Sequence, residues 1–496
     1  MKPKQSFRFF ANDLKPFHPL STSFTTDAEY AQVANRLYAA FLEHKVNAIT
    51  TDEMIDYARR IALYFEDVVA NAGIWRSFVT RMKELTGRSL PFFDVDEDAY
   101  FPDEPHKEDI QLLIWLTHVD RNPNELPDPN NEFFDKLAQV AIGLLDEMFD
   151  TIGINEQLAD VITDPANYTE CVKRVELHRW IYLSCYLTGG VRSVHSVKET
   201  AEEMVALSDS PIYDIAAAIC SFRNACGPLA LQPKEWLAML LRANDAPQTA
   251  IRVEAQQYLP LYVYKCLRLE GNDIVLLTPD EKEIRVNRSR MFNHNIQPDE
   301  YALAQFLWYD GLWTCLAGGI IDKGKEHLQQ QFEEVKQHKA IVRNYAQLME
   351  QSGGSPFFYF ANLSEAKDFL VENGVIEKAN MEAQLHMKAL EKAEDIILYF
   401  PSENEAFHLI PNVAASIKDA RNPFYDAEKA RNNGFAILLD LPGSMVKHLI
   451  AHQLVPDISF STRHDEDYNH RMAQQNLDFL ARTFTLNNYA DIPYPF

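Results

Sequence analysis

Leu261-Tyr262-Val263-Tyr264-Lys265-Cys266-Leu267-Arg268-Leu269 is the run on which the fold turns. It is rich in β-formers, and it follows a long stretch that shows only helical periodicity. Gly271-Asn272 reads as a turn after it, Ile274-Val275-Leu276-Leu277 as a second strand and Pro279-Asp280 as a second turn. Glu283-Ile284-Arg285-Val286-Asn287 then alternates cleanly. Gln305 to Ile321, with Phe306, Trp308, Gly311, Trp313 and Leu316, reads as a further extended pair. A few short strands cannot bury two faces alone. The spacing therefore predicts a small SH3-like β-barrel or meander over 258–321, packed on helices.

Upstream, residues 1–245 read as a helical domain. Thr26-Asp27-Ala28-Glu29 has the form of a capping box that opens a helix carrying Val33, Leu37 and Phe41. Thr51 or Asp52 is placed to cap a second helix through Ile55, Ala58, Ile61, Ala62 and Phe65. Trp75 to Leu85 forms a third, stopped by Gly87. Two Pro- and Asp-rich connections flank a buried helix around Ile110, Leu113 and Ile114, and Pro233 opens a later helix. Downstream, Leu328, Phe332, Val335, Val342, Tyr345 and Met349 share one stripe, which predicts a long connecting helix over 322–352. Residues 356–496 mix α and β, with Ala406–Ile410 placed to pair with Ile396–Phe400. The fold class is mainly α with a small β module and a C-terminal α/β region, α+β overall.

Asp and Glu number 72 against 47 Lys and Arg, a net charge of −25. Such a surface repels phosphate backbones, so nucleic-acid partners are disfavoured unless a local basic patch escapes the average. Six cysteines without a CxxC point to reduced thiols in the cytoplasm. No apolar leader and no membrane span is expected.

Known chemistry is sparse. Gly319 to Glu326 fits GxxxxGK, but Glu326 stands where a magnesium-binding hydroxyl belongs and Asp322 adds a second negative charge. The Walker-B-like run Ala436–Asp440 has a helical period. His448 and His452 share one helix face and could chelate zinc with His464 or Asp465, yet no acid lies between them to act as a base. They read as surface histidines, and no metal or other cofactor is expected. Asp94–Asp98 begins like a calcium loop, but Ala99 and Pro105 break the pattern. Cys185 and His178 read as core side chains on one apolar stripe, and Glu66-Asp67 as a helix-surface pair whose carboxylates point about 100° apart. No GxSxG, GxGxxG or HExxH occurs.

Two candidate binding sets remain. Arg421 could clamp a carboxylate or phosphate with Asn422 helping to orient it; alternatively Arg421 pairs with a nearby acid, while Asp426 caps the next helix. Tyr258, Tyr262, Tyr264, Trp308, Tyr309 and Trp313 alternate along strands; Tyr262, Tyr264, Trp308 and Trp313 could offer an aromatic face to a peptide, or the set could be buried against the helical domain.

Several phrases resemble one family: Leu14-Lys15-Pro16-Phe17, Thr26-Asp27 and Tyr30, Tyr64-Phe65-Glu66-Asp67, Gly73-Ile74-Trp75, Leu90-Pro91-Phe92-Phe93, Leu113-Ile114-Trp115, and Lys418-Asp419 with Arg421-Asn422-Pro423-Phe424-Tyr425. Together they look like an uncharacterised domain-of-unknown-function family of gut anaerobic bacteria. The resemblance implies a bacterial cytosolic setting and brings no activity or catalytic residue with it. The expectation is a non-catalytic protein-binding or scaffold protein whose partner is another protein or a peptide, bound by the β module or by the groove between it and the helices. The alternative is a hydrolase or transferase centred on Arg421 and Asn422.

Overall fold

The computed structural model describes residues 7–44, 49–204, 212–291, 295–320, 325–336, 342, 344–376, 388–455, 458–460 and 465–490. The N-terminal part is built on helices α1 (Asp27–Glu43), α2 (Thr51–Ala70), α3 (Ile74–Thr86), α4 (Lys107–Arg121) and α5 (Glu132–Phe149). Helix α2 is its spine. Thr50, one residue before the expected cap, closes a reciprocal box: its Oγ1 accepts from Glu53 N at 3.2 Å and its N–H donates to Glu53 Oε2 at 2.8 Å. The box expected at Thr26 does not form. The Thr26 hydroxyl caps nothing, and Asp27 Oδ2 instead accepts from Phe24 N at 3.0 Å. Helix α3 stops at Gly87, which takes φ +76°.

Helices α6 (Cys171–Arg179), α7 (Val191–Glu203), α8 (Tyr213–Arg223) and α9 (Pro233–Ala243) follow. Strands β1 (Gln257–Glu270), β2 (Asp273–Leu277), β3 (Glu283–Asn287), β4 (Tyr301–Tyr309) and β5 (Leu312–Ile320) close a barrel in the order β1-β2-β3-β5-β4. Its neighbours are antiparallel except at the β3–β5 seam. Alternation puts Tyr264, Cys266, Ile274, Leu276, Ile284, Val286 and Phe306 inside. The opposite face of β1 and β4 packs Val263, Tyr301 and Leu303 on Leu328 and Phe332 of the Lys325–Lys336 helix. That helix does not run on as one rod to Gln351. Val342 is non-helical, and Asn344, in a left-handed conformation, starts a separate helix at Tyr345.

Strands β6 (Phe357–Phe360), β7 (Ile396–Tyr399) and β8 (His408–Pro411) form a second antiparallel sheet, with Ile397 opposite Ile410. The C-terminal helices do not make a separate core. Phe479 packs on Phe78 of α3 and on Phe92, and Phe484 on Trp115 of α4. One hydrophobic cluster therefore runs from the first helices to the last. Among the described residues no helix is long and apolar enough to cross a membrane.

Candidate functional site

Each candidate residue from the sequence has a definite place. Arg421 pairs with Asp419 through two guanidinium nitrogens and gives a third to the Ser352 carbonyl. Burial pushes the Asp419 carboxyl up, but the hydrogen bonds from Arg421, joined by that from Tyr359, outweigh it and hold it below its ordinary value. Asn422 is buried, donating to the Ala414 and Ile417 carbonyls and accepting from Phe424 N. Asp426 caps the following helix by accepting from Glu428 N and Lys429 N. Asn422→Ala would remove three hydrogen bonds, leaving the two carbonyls one backbone donor each and Phe424 N without its acceptor, and is expected to cost about 2 kcal/mol; a urea-unfolding midpoint equal to wild type would reject that structural role.

The barrel aromatics divide. Tyr264 lies inside with its hydroxyl on the Pro260 carbonyl at 2.9 Å. Tyr262 is half-buried against two apolar clusters. Trp308 and Trp313 face each other across β4 and β5, half-buried, beside an exposed Leu312.

Other sequence candidates resolve as follows. His448 and His452 stack at 4.0 Å, His448 edge-on to Phe357; His464 lies outside the described residues. Burial, with His452 and Arg421 nearby, lowers the His448 pKa. The GxxxxGK run falls largely outside the described residues, and Ala436–Asp440 is helical. His178 and Cys185 are both buried; His178 bonds the Arg174 carbonyl and Gln256, and burial lowers its pKa to about 3. Glu66 and Asp67 are not on a helix surface, since both are buried. They do point apart: Glu66 contacts His18 and Asn155, whereas Asp67 accepts from Ile74 N, Trp75 N and the Tyr186 hydroxyl.

A cavity of about 610 Å³ lies beside α3 and α9, where Arg76, Arg81 and Arg242 are balanced by Glu84, Glu235 and Glu254. A concentration of unbalanced positive charge lies elsewhere, along α6 and the turn after it. Trp180–Ser184 is a π-turn, with Cys185 N donating to the Trp180 carbonyl at 2.7 Å. Such turns are frequent at functional sites because they displace one residue from the helical register. Beyond it, the backbone doubles back through Gly189-Gly190 into α7. A Cβ on Gly190 would stand 2.2 Å from Asp120 Oδ2, and one on Gly189 would stand 2.4 Å from the Leu183 carbonyl carbon, so only glycine fits.

This bend walls a cavity of about 230 Å³ with Arg59, Arg60, Arg121 and Asp56. Arg60 is held by the Tyr186 and Gly189 carbonyls at 2.8 and 2.9 Å. Arg121 contacts Asp56 Oδ2 at 3.1 Å, Arg59 contacts Asp56 Oδ1, and the Arg59 guanidinium lies 4.2 Å from the Phe17 ring centroid. Burial alone would push the Asp56 carboxyl up; Arg60, Arg59 and Arg121 together outweigh it and hold it below its ordinary value. Arg192 pairs with Asp120 at the edge. Four guanidinium groups thus meet two carboxylates.

A second cavity, of about 330 Å³, shares Leu183 and Ser184 with the first. A third, of about 380 Å³, lies between the barrel and helices α6 and α8, and shares Glu176, Arg179 and Asp214 with the second. Its walls include Val172, Val175, Ile215, Ala218 and Ala317. The result is a cleft of three adjoining cavities, apolar at the barrel end, lined by Glu176, Arg179 and Asp214 in the middle and cationic at the Gly189-Gly190 end.

The profile of a family described as a protein of unknown function, DUF3843, matches residues 8–266 and 294–486. The chain belongs to that family. No curated protein and no solved structure matches it. The DUF3843 profile spans the helices that wall the cleft and, of the barrel, strands β4 and β5 and most of β1, while β2 and β3 fall in its gap. Sequence reasoning missed Arg59, Arg60 and Arg121. The available signal was Asp56 and Arg60, one helical turn apart and falling among the apolar residues of α2.

Proposed function

We propose that this DUF3843 protein is a non-catalytic binding protein that takes an extended acidic peptide segment of another protein into the cleft along α6. One observation carries the reading: a net-cationic cavity and an apolar one, each sharing wall residues with a cavity between them, in a chain whose net charge is −25. An anionic group would be drawn to a cavity where three guanidinium groups face one carboxylate, and it would find those groups already held in position. Apolar side chains of the same segment would fill the groove beside the barrel. None of the six cysteines is in a disulfide and five are buried, which supports a cytosolic setting for this encounter. The enzymatic alternative, a hydrolase or transferase around Arg421 and Asn422, has less support, because Arg421 is matched one-to-one by Asp419, whereas three guanidinium groups share Asp56. SH3-like capture on Trp308 and Trp313 is a second seat, favoured only by their half-exposed pairing beside Leu312.

The test is fluorescence polarisation with labelled peptides that carry aspartate or phosphoserine next to apolar residues. Binding is expected to weaken with added salt. Arg59→Ala and Arg121→Ala are each expected to weaken it about 10- to 100-fold, the loss of one charge-assisted hydrogen bond. Val172→Asp is expected to weaken it as well, while Trp308→Ala leaves it unchanged. No binding by any acidic peptide, or binding indifferent to both arginines, rejects the reading. Loss confined to Trp308→Ala moves the site to the barrel.

A further inference from the structure

Three buried polar atoms near the start of the chain lack a partner: His18 Nδ1, Thr26 Oγ1 and Asp27 Oδ1. Folded proteins pair nearly all such atoms, and a cluster of exceptions in one corner calls for an occupant. His18 is 2% exposed and Glu66 1%. His18 Nε2 lies 2.8 Å from Glu66 Oε2, and Glu66 Oε1 accepts from Asn155 Nδ2 at 2.7 Å. The carboxylate is thereby fixed, and it fixes the ring. On the other side of the imidazole, Nδ1 is 3.6 Å from Asp27 Oδ1, beyond hydrogen-bond reach. Asp27 is oriented in turn by Phe24 N on its other oxygen.

That separation suits two ligands of one cation. Donor atoms about 2.1 Å from a tetrahedral zinc stand roughly 3.4 Å apart. A histidine that ligates through one nitrogen and donates its other N–H to a carboxylate is the usual second-shell arrangement at such sites. His18, Asp27 and Glu66 are also, among the described residues, the group whose ligand atoms all lie within 4.8 Å of one another. We propose that His18 Nδ1 and Asp27 Oδ1 hold a divalent cation of the zinc type, with water completing its shell, and that Glu66 orients the imidazole rather than binding the ion. A donor set of one imidazole and one carboxylate suits zinc better than calcium, which takes oxygen ligands alone. His18 also lines the second cavity of the cleft, which gives the ion a path in.

The proton balance is explicit. Glu66 and Asp27 flank the ring, and the Thr22 backbone faces it; together they favour the imidazolium against the effect of burial. Lys15 acts on Asp27 from outside. Binding the ion forms the metal–Nδ1 bond and releases that nitrogen's proton to solvent, so affinity rises with pH until His18 is neutral without the ion.

The experiment uses the full chain, stripped with a chelator and titrated with zinc chloride by calorimetry, with elemental analysis and thermal unfolding in parallel. The expected result is one zinc per chain, a thermal midpoint that rises on zinc addition, and up to tenfold tighter binding per pH unit below the His18 pKa. His18→Gln and Asp27→Asn abolish uptake. Glu66→Gln keeps the ligands and weakens binding about 10- to 100-fold. His448→Ala leaves the stoichiometry unchanged, which separates this site from the stacked His448–His452 pair. No zinc uptake and no midpoint shift in the stripped wild type would overturn the proposal in favour of a trapped water, whatever the variants do. So would uptake that survives Asp27→Asn but not His448→Ala.

Discussion

Phe92→Ala is expected to lower unfolding stability by about 3–5 kcal/mol, the range for a fully buried phenylalanine. The ring is 2% exposed. It meets Trp115 of α4 edge-on at 5.0 Å, Phe460 at 5.7 Å and Phe479 at 5.4 Å. Its own N–H donates to Asn476 Oδ1 at 3.1 Å. One side chain thus joins a loop of the N-terminal part to helices almost four hundred positions later. Phe92 does this at φ +66°, a conformation costly for a residue with a bulky side chain. Phe92→Gly loses the same contacts but relieves the backbone, so it should be about 1 kcal/mol more stable than Phe92→Ala. Urea unfolding of the two variants therefore separates cavity from strain. Limited proteolysis should find new cleavage between residues 458 and 490 in both. A loss below about 1 kcal/mol in Phe92→Ala would show that the C-terminal helices are held elsewhere.

The barrel was legible because its evidence is local. Glu283–Asn287 alternates, Gly271-Asn272 and Pro279-Asp280 mark the turns, and the hairpin registers follow from them. Closure through β3 and β5 was not legible, since that seam joins strands that are not neighbours in sequence. The single long helix expected over 322–352 came from an apolar stripe that persists across a break. Periodicity cannot see a left-handed Asn344, because the stripe resumes in phase at Tyr345. The C-terminal region was read as separate for a related reason: nothing in the pattern of Leu477–Thr485 says which core its apolar face enters.

The cleft was hidden for a stronger reason. Its walls come from Phe17, Asp56 to Arg60, Arg121 and Leu183 to Val194, and no spacing along the chain relates them. Asp56 and Arg60 taken alone look like an ordinary surface ion pair one turn apart. Only burial reveals that Asp56 answers three arginines. Glu66-Asp67 misleads in the same way. Adjacent acids on a helix are usually solvated, yet here a histidine and an asparagine take one, and the start of α3 with a tyrosine takes the other. Conversely, Asp419 and Arg421 sit two residues apart in a loop, so their pairing needs no tertiary partner and could be weighed from sequence.

Asp109 is expected to impose the largest pH dependence. It is fully buried, with the Tyr64 hydroxyl donating to one oxygen at 2.7 Å and the Tyr100 hydroxyl to the other at 2.8 Å. Trp75 Nε1 donates to Tyr100 at 3.1 Å. Burial pushes the carboxyl up to about 8, even though both tyrosine hydroxyls pull it down. The folded-state value lies above the ordinary 3.8, so the folded protein holds this proton more tightly than the unfolded chain does. Its contribution is fully present below about pH 4 and is lost as pH rises towards 8, a change on the order of 5 kcal/mol. Asp56, held low by its arginines, acts in the opposite sense: its contribution is present above the ordinary carboxylate range and is lost on acidification. The two slopes meet in mild acid, where stability should peak. Urea unfolding at pH 5, 7 and 9 tests this. Asp109→Asn cannot ionise, so its stability should fall much less between pH 5 and 9, and at pH 9 it should exceed wild type. Parallel curves for the two proteins would mean that Asp109 is already ionised at neutral pH, its charge supported by the two hydroxyls. Tyr64→Phe separates these cases further. Removing one donor raises the Asp109 pKa and moves the loss of stability to higher pH if the carboxyl is protonated at neutrality. If it is already charged, the same substitution costs about 1–3 kcal/mol at pH 7.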